Sequence, residues 1–273
     1  MKECIHHKFI LDGEIVDCNH FDPEMIDTGI SIYEVVRVIK GKILFMMDHL
    51  DRLSESARLA GLVIWHTLDS LHMMVSQLPA LNGVQEGNIK IVFNYHPENQ
   101  NMFLAYFVSH NYPSPSQYEE GVPLHTYRFT RSDPHTKIWR PKHRMAVKEY
   151  IKKKKLYEVL LVDDHDRVTE ASKANVFFIS GNKIITPPLD LILPGITRKY
   201  ILQICIDRNI DVDEKIVFLN QINHFDGIFI TGTSPGVLPV SCVDESYFNV
   251  DHPLLRILMQ EFDLLVEKAL KSV

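Results

Sequence analysis

Two short stretches of this chain carry residue types that hold an anion. Pro194-Gly195-Ile196-Thr197 sets bare backbone N–H groups and one hydroxyl at the start of an expected helix, where the aligned peptide dipoles favour a phosphate or carboxylate. Thr231-Gly232-Thr233-Ser234 adds hydroxyls and amides at the end of an expected strand. Taken singly, each is more readily a helix cap or a turn. Gly232-Thr233-Ser234-Pro235-Gly236 also has the Gly-x-Ser-x-Gly form of a hydrolase nucleophile elbow, which must run from a strand straight into a helix. Val237 to Ser241 reads as β instead, and only 37 residues follow Gly236, so a small-residue turn is the better reading of Ser234. A phosphate loop, a Gly-x-Gly-x-x-Gly turn and a His-Glu-x-x-His helix are all absent from the sequence. Its four cysteines are far apart with no Cys-x-x-Cys pair, so reduced thiols are expected and a structural zinc is not.

The elements that must position these residues follow from hydrophobic period and turn chemistry. Phe9–Leu11 and Ile15-Val16 flank Asp12-Gly13, a pair suited to the positive φ angles of a tight hairpin. Ile32 to Ile39 is β-branched and aromatic, Lys40-Gly41 turns, and Ile43-Leu44-Phe45 is expected to return as a strand. The period then becomes helical, with Asp48 as N-cap, Leu50, Leu53, Ala57 and Ala60 on one face, and Gly61 at the end. A helix near 67–78 precedes strands near 89–94 and 102–109. Pro113, Ser114, Pro115, Ser116 and Gly121 mark a linker over 113–122. This divides the chain into domains of 1–112 and 123–273. The second holds a strand at 123–130, a helix at about 142–155, strands at 157–162, 175–179, 183–186, 227–230 and 237–240, and a helix after Gly195. A last helix from Asp251 and Pro253 carries Leu254, Ile257, Leu258, Phe262 and Leu265. The fold class is mixed α and β.

The 273 residues are 45% hydrophobic and 23% charged, which fits a packed globular protein. A net charge of −6 gives no reason to expect nucleic acid as a partner, and the basic run Lys152–Lys155 reads as a solvated helix face. No apolar run is long enough for a membrane span, and the first seven residues lack the apolar core of a signal peptide. The expected location is the cytoplasm.

Five blocks, in order along the chain, resemble the class IV aminotransferases, fold-type IV enzymes that use pyridoxal 5'-phosphate (PLP). They are Ile32-Tyr33-Glu34-Val35-Val36-Arg37-Val38, then His49-Leu50-Asp51-Arg52-Leu53, Val168-Thr169-Glu170-Ala171-Ser172 with Asn175-Val176-Phe177, Leu193-Pro194-Gly195-Ile196-Thr197-Arg198, and Thr231-Gly232-Thr233. The family includes D-amino acid and branched-chain aminotransferases and aminodeoxychorismate lyase. The resemblance implies a two-domain, D-amino acid aminotransferase-like fold with the cofactor in the cleft between the domains, and a homodimer. It also implies a lysine about 33 residues before the glutamate of the third block, to form the Schiff base. Lys137 stands 33 residues before Glu170, whereas Lys142 stands 28 before it. By the same resemblance Glu170 pairs with the pyridine nitrogen. Arg52, Ile196, Thr197 and Thr233 bind the phosphate. Lys137 must also carry a proton as a neutral amine, so its pKa has to fall well below the usual value of about 10.4.

Tyr33, Tyr95, Arg140 and Ser234 are the substrate-side candidates. Here the chain departs from better-known members. Gly29-Ile30-Ser31 replaces the Gly-Asp that usually precedes the aromatic-Glu pair, Ile89 to His96 has no arginine, and Ile138-Trp139-Arg140-Pro141 follows the lysine. The expected activity is transfer of an amino group between a branched-chain or D-amino acid and a 2-oxo acid. One alternative is lyase-like β-elimination that releases pyruvate, for which Arg140 would serve an anionic aromatic substrate. Others are a non-catalytic PLP-binding protein and, as the least expected, a hydrolase acting through Ser234.

Overall fold

The structure, a computed structural model, describes residues 3–98 and 100–272; Met1 and Lys2 of the N-terminal reading lie outside it. The chain divides into two compact units. One takes the residues up to Asn111, returns for Thr136–Pro141 and includes those from Val266 onward; the other takes Tyr112–His135 and Lys142–Leu265. The chain crosses from the first unit to the second at 111–112. The return of 136–141 was not anticipated, and it moves Lys137 into the first unit.

In the first unit β1 (Ile5–Leu11) and β2 (Glu14–Asp17) form the hairpin about Asp12 and Gly13, whose φ angles are 49° and 90°. After α1 (Glu24–Asp27) come β3 (Ile30–Ile39), β4 (Lys42–Ile43), α2 (Met46–Leu59), α3 (Leu68–Ser76), α4 (Leu78–Asn82), β5 (Glu86–Tyr95) and β6 (Met102–Val108). The strands make one antiparallel sheet in the order β2-β1-β6-β5-β3-β4. The β3–β5 ladder is unbroken from Ile30↔Tyr95 to Ile39↔Glu86, and it fixes which side chains share a face. Ile32, Val36 and Val38 pack with Leu50, Leu53 and Ala57 of α2, whereas Tyr33 joins Val92, Leu104 and Tyr106 on the opposite face. Residues 137–139 lie along β3: Tyr33 N donates to Lys137 O at 3.0 Å and Trp139 N to Ser31 O at 2.7 Å.

Three local expectations are corrected here. The strand expected over 43–45 ends at Ile43, because Phe45 adopts φ 53° and turns the chain into α2. Asp48 therefore lies in the first turn of α2, where its charge suits the helix dipole, and is not the N-cap. Cys4 and Cys18, expected as thiols, are joined as a disulfide with a Cα–Cα separation of 6.2 Å, because the β1–β2 hairpin folds the chain back on itself. Cys205 and Cys242 are free.

The second unit opens with α5 (Pro115–Glu120) inside the expected linker. Ser114 is its N-cap, with a reciprocal capping box to Gln117, and Pro115 follows at the first helical position. The Ser and Pro residues that read as linker are thus a helix start. Then come β7 (Val122–Arg128), α6 (Pro141–Lys154), β8 (Glu158–Val162), β9 (Arg167–Ala171), β10 (Asn175–Ser180), β11 (Lys183–Thr186), α7 (Ile196–Asp207), β12 (Asp211–Glu214), β13 (Val217–Phe218), β14 (Gly227–Gly232), β15 (Gly236–Val243), β16 (Ser246–Tyr247) and α8 (Pro253–Ser272). The mixed sheet runs β12-β11-β10-β14-β15-β7-β8-β9-β13, with β16 on β15. On α8, Leu254, Leu255, Leu258 and Phe262 are buried while Ile257, expected on the apolar face, is exposed. Among the described residues no helix is long and apolar enough to cross a membrane, and no group of three metal-binding side chains occurs.

Candidate active site

Glu34 organises the first unit's polar cluster. The β3 alternation points its side chain toward α2, where His49 and Arg52, three residues apart, share a helix face. Arg52 donates from Nε to Glu34 Oε1 and from Nη2 to Oε2, both at 2.7 Å. His49 Nδ1 lies 2.8 Å from Oε2, and Lys137 Nζ 3.5 Å from the same oxygen. Burial alone would push the Glu34 carboxyl up. The charges of Arg52 and Lys137 and the bonds from His49 and Arg52 outweigh it, and hold Glu34 well below the usual carboxylate range. Burial also lowers the His49 pKa, against the pull of Glu34, so the imidazole is neutral at pH 7 and donates through Nδ1 to the carboxylate.

Lys137 therefore ends its side chain at a fixed anion, with the Tyr33 ring 5.5 Å from its ammonium. Tyr33 meets Trp139 edge-on, with centroids 5.6 Å apart. Of the other substrate-side candidates in this unit, Arg140 is exposed on the segment before α6. Tyr95 is on the opposite face of the sheet from Tyr33, donates to Val63 O at 3.1 Å and packs against Trp65. Half-burial pushes the Tyr95 phenol up to about 12. The structure brings Lys137 to the carboxylate that Arg52 grips and sets the Tyr33 ring beside the Lys137 ammonium, whereas Tyr95 packs with Ile138 in the cluster on the α2 face.

In the second unit Glu170 is buried on β9. Its Oε2 accepts from Asn175 Nδ2 at 3.3 Å and from Leu193 N at 3.2 Å, and Arg131 Nη1 lies 3.0 Å from Oε1. Asn175 also donates to Leu193 O at 2.9 Å, tying β10 to the turn before α7. That turn needs Gly195, because a Cβ there would meet Asn175 Oδ1 at 1.9 Å. Gly195 is the N-cap of α7 and has no side chain to satisfy the first N–H groups, which belong to the buried Ile196 and Thr197. Thr231 pairs with Asn175 in the β10–β14 ladder. Its Oγ1 is buried with no hydrogen-bond partner among the described residues.

Thr233 and Ser234 lie in the hairpin between β14 and β15, which closes at Gly232↔Gly236. A hairpin is not the strand-to-helix turn a nucleophile elbow requires, so the hydrolase reading of Ser234 is overturned. The second unit thus gathers Glu170, Ile196, Thr197 and the Thr231–Ser234 turn around β10 and the start of α7.

Glu34, His49, Asn175 and Thr231 stood inside or beside the resembling blocks but received no role from sequence reasoning. A signal was present for the first two: an acid at an inward strand position and a His-x-x-Arg helix face. Lys90 was also passed over, for want of any motif around it.

Residues 31–243 match the family described as amino-transferase class IV, and the chain belongs to that family. Class IV aminotransferases use PLP, so the protein is a PLP-dependent transaminase of mixed α and β fold-type IV architecture. It is similar to a protein of Rickettsia typhi named "Probable branched-chain-amino-acid aminotransferase", with 29% identity over 78% of both chains. It is equally similar, at 29% identity, to the D-alanine aminotransferase of Staphylococcus aureus, over 95% of this chain and 98% of that one. The fold matches the crystal structure of the Escherichia coli branched-chain amino acid aminotransferase with TM-score 0.86 at 18% identity, covering 96% of this chain and 95% of that one.

The residues present fit the cofactor. A helix start without a side-chain cap and an orphaned buried hydroxyl suit a phosphate, and a buried carboxylate suits a protonated ring nitrogen.

Proposed function

We propose that this chain moves an amino group between an amino acid of branched-chain or D-amino acid type and a 2-oxo acid, with Lys137 as the residue that bonds PLP. The observation that carries this reading is the Lys137 ammonium held 3.5 Å from an ionised, fully buried Glu34 that Arg52 grips at both oxygens. When bound, PLP supplies the electron sink that takes up negative charge from the substrate Cα. Lys137 Nζ carries the proton to and from that carbon, and Glu34 keeps the amine in reach. Glu170 holds a proton at the pyridine nitrogen. The Ile196 and Thr197 amides, the Thr197 hydroxyl, Thr233 and Arg52 take the phosphate. The substrate types are those named for the two relatives of similar length.

The family resemblance supports a homodimer, so the active species should sediment at about twice 31.6 kDa. The activity is tested by the visible spectrum of the PLP-loaded protein as D- and L-amino acids are added singly. One hand of a branched-chain or small amino acid should bleach the band and leave it bleached until a 2-oxo acid restores it. Pyruvate released without an acceptor would replace this reading by the lyase. A band that no donor bleaches would leave a PLP-binding protein without transamination.

A further inference from the structure

Cys4 and Cys18 bridge the ends of the β1–β2 hairpin, and contacts lead from that bridge to Lys137. Both cysteines are buried in a cluster with Phe9, Tyr33, Val92 and Tyr106, against which Trp139 packs. Tyr33 and Trp139 are the two rings beside the Lys137 segment: they meet edge-on, and the backbone of 137–139 bonds Tyr33 and Ser31. The residue before Cys4 reaches the same place. Glu3 Oε1 accepts from the buried Lys90 ammonium at 2.9 Å and from the Tyr106 hydroxyl at 3.4 Å. The Lys90 ammonium in turn stands 3.4 Å from the Trp139 ring centroid. The sheet itself restrains residues 3–7 weakly. The β1–β2 ladder begins only at Lys8↔Asp17, and the β1–β6 register breaks between Ile5 and Ile10, with His6 left-handed at φ 67°. Asn82 Oδ1 accepts from the N–H groups of His7 and Lys8, three and four residues past Cys4. The disulfide is therefore the tie that sets Glu3 on Lys90. With a hydrophobic core in each unit, this one bridge is not needed as a framework.

We infer that Cys4 and Cys18 form a reversible redox latch on the Lys137 site. As a disulfide they hold Glu3 on Lys90 and so steady the Trp139 ring and the segment that carries Lys137; a dithiol reductant opens them. A thiolate of the dithiol attacks one sulfur, which forms a mixed disulfide and releases the other cysteine. The second thiol of the dithiol then displaces the remaining cysteine. The protein gains two electrons and two protons, and the dithiol leaves as its own disulfide. Because both sulfurs are buried, exchange waits for residues 3–7 to open locally, and the broken register makes that end of β1 the place to open. Once reduced, Glu3 is no longer tethered beside Lys90. A buried ammonium that loses its carboxylate disturbs the groups around it, which here are the Tyr33 and Trp139 rings. Lys137 then holds its transfer geometry for less of the time.

This inference rests on the proposed transaminase reading and is tested on the PLP-loaded enzyme, oxidised with glutathione disulfide or reduced with dithiothreitol. Thiols are located by alkylation and peptide mass spectrometry. The oxidised protein should show Cys205 and Cys242 alone as thiols, and the reduced protein Cys4 and Cys18 as well. Reduction should leave the visible band in place and lower kcat/KM for the amino donor about fivefold or more, chiefly through kcat, within what lost positioning costs. Reoxidation should restore it. The emission of Trp139, read in a Trp65→Phe background, should change with the same midpoint as the activity.

Cys4→Ser combined with Cys18→Ser should show the reduced activity with and without the dithiol. Glu3→Gln should lower activity while the bridge stays closed, which keeps the test decisive if the double variant does not accumulate. Thiols at Cys4 and Cys18 after oxidation, unchanged or raised activity when the bridge opens, unchanged activity in Glu3→Gln, or a dithiol response that persists in the double variant would overturn the inference. Absence of amino transfer in either redox state, with Trp139 emission still following the bridge, would sink the transaminase reading instead.

Discussion

Two buried glutamates, Glu34 and Glu170, stand in opposite surroundings. Glu34 is 0% exposed and faces Arg52 through both oxygens, with His49 and Lys137 on the same carboxylate. Its charge is matched by nitrogen donors that belong to the fold. Glu170 takes two neutral donors on one oxygen and the partly exposed Arg131 on the other, and the ladder partner of Asn175, Thr231, keeps a hydroxyl with nothing to bond. In the first site both carboxylate oxygens are already engaged by side chains of the chain itself. The second keeps a buried hydroxyl with no partner among the described residues, the group through which the proposed phosphate site is tested below.

Lys137→Ala breaks the comparison at its functional end. It should abolish the visible band of lysine-bound PLP and lower transamination by about a thousandfold or more, read by spectrum and coupled assay.

Glu34→Gln attacks the first site. It leaves Arg52 buried without its anion and should cost about 3–5 kcal/mol in urea unfolding at pH 7. The depressed Glu34 pKa sets the sign of the pH dependence. Its contribution is present above the unfolded value of about 4.3 and is lost as pH falls through the lower folded value, so wild type and variant should converge on acidification. A gap that widened in acid would contradict the assignment.

Thr231→Val probes the second site and should act with opposite signs. Without PLP, removal of an orphaned buried hydroxyl should stabilise the protein by about 1 kcal/mol, and with PLP present the affinity should fall about tenfold. Loss of stability in the PLP-free protein would mean the hydroxyl already has a structural partner.

Glu158 supplies a third case and the smallest effect. Its carboxyl is buried beside Ser172 and the Val159 N–H, and burial pushes its pKa up despite the nearby Lys173 and Arg144 charges. In the folded protein it keeps its proton at a pH where the unfolded chain has lost it. Its share of stability therefore declines as pH rises from about 4.3 through the raised value. Glu158→Gln should remove that decline and gain roughly 0.5 kcal/mol at neutral pH by thermal unfolding, within the usual range for replacing a poorly solvated charge by a neutral isostere.

The parts of the fold legible in the sequence were those with a local cause. Asp12-Gly13 marked its hairpin, the Ile32–Ile39 run its strand, and Leu50, Leu53 and Ala57 their helix, because turn chemistry and period act over a few residues. Phe45 defeated the reading of 43–45, since nothing local announces a left-handed phenylalanine. The Ser114–Gln117 capping box was hidden by the Pro and Ser composition it shares with linkers. The division of residues at the site was illegible for a different reason. Lys137 joins the first unit through contacts made far along the chain: Tyr33 and Ser31 bond the backbone of 137–139, the Ser56 hydroxyl accepts from Lys137 N, and Glu34 meets its ammonium. Lys90 was invisible because a single lysine in a β-branched run carries no spacing to read.

The most direct test of Lys137 as the PLP-bearing residue is chemical. The PLP-loaded protein is reduced with borohydride, digested, and mapped by mass spectrometry. A phosphopyridoxyl group on the peptide containing Lys137, at near-stoichiometric yield, is the expected result. The same group on Lys142, Lys148 or Lys90, or no stable adduct under conditions that bleach the band, would contradict it.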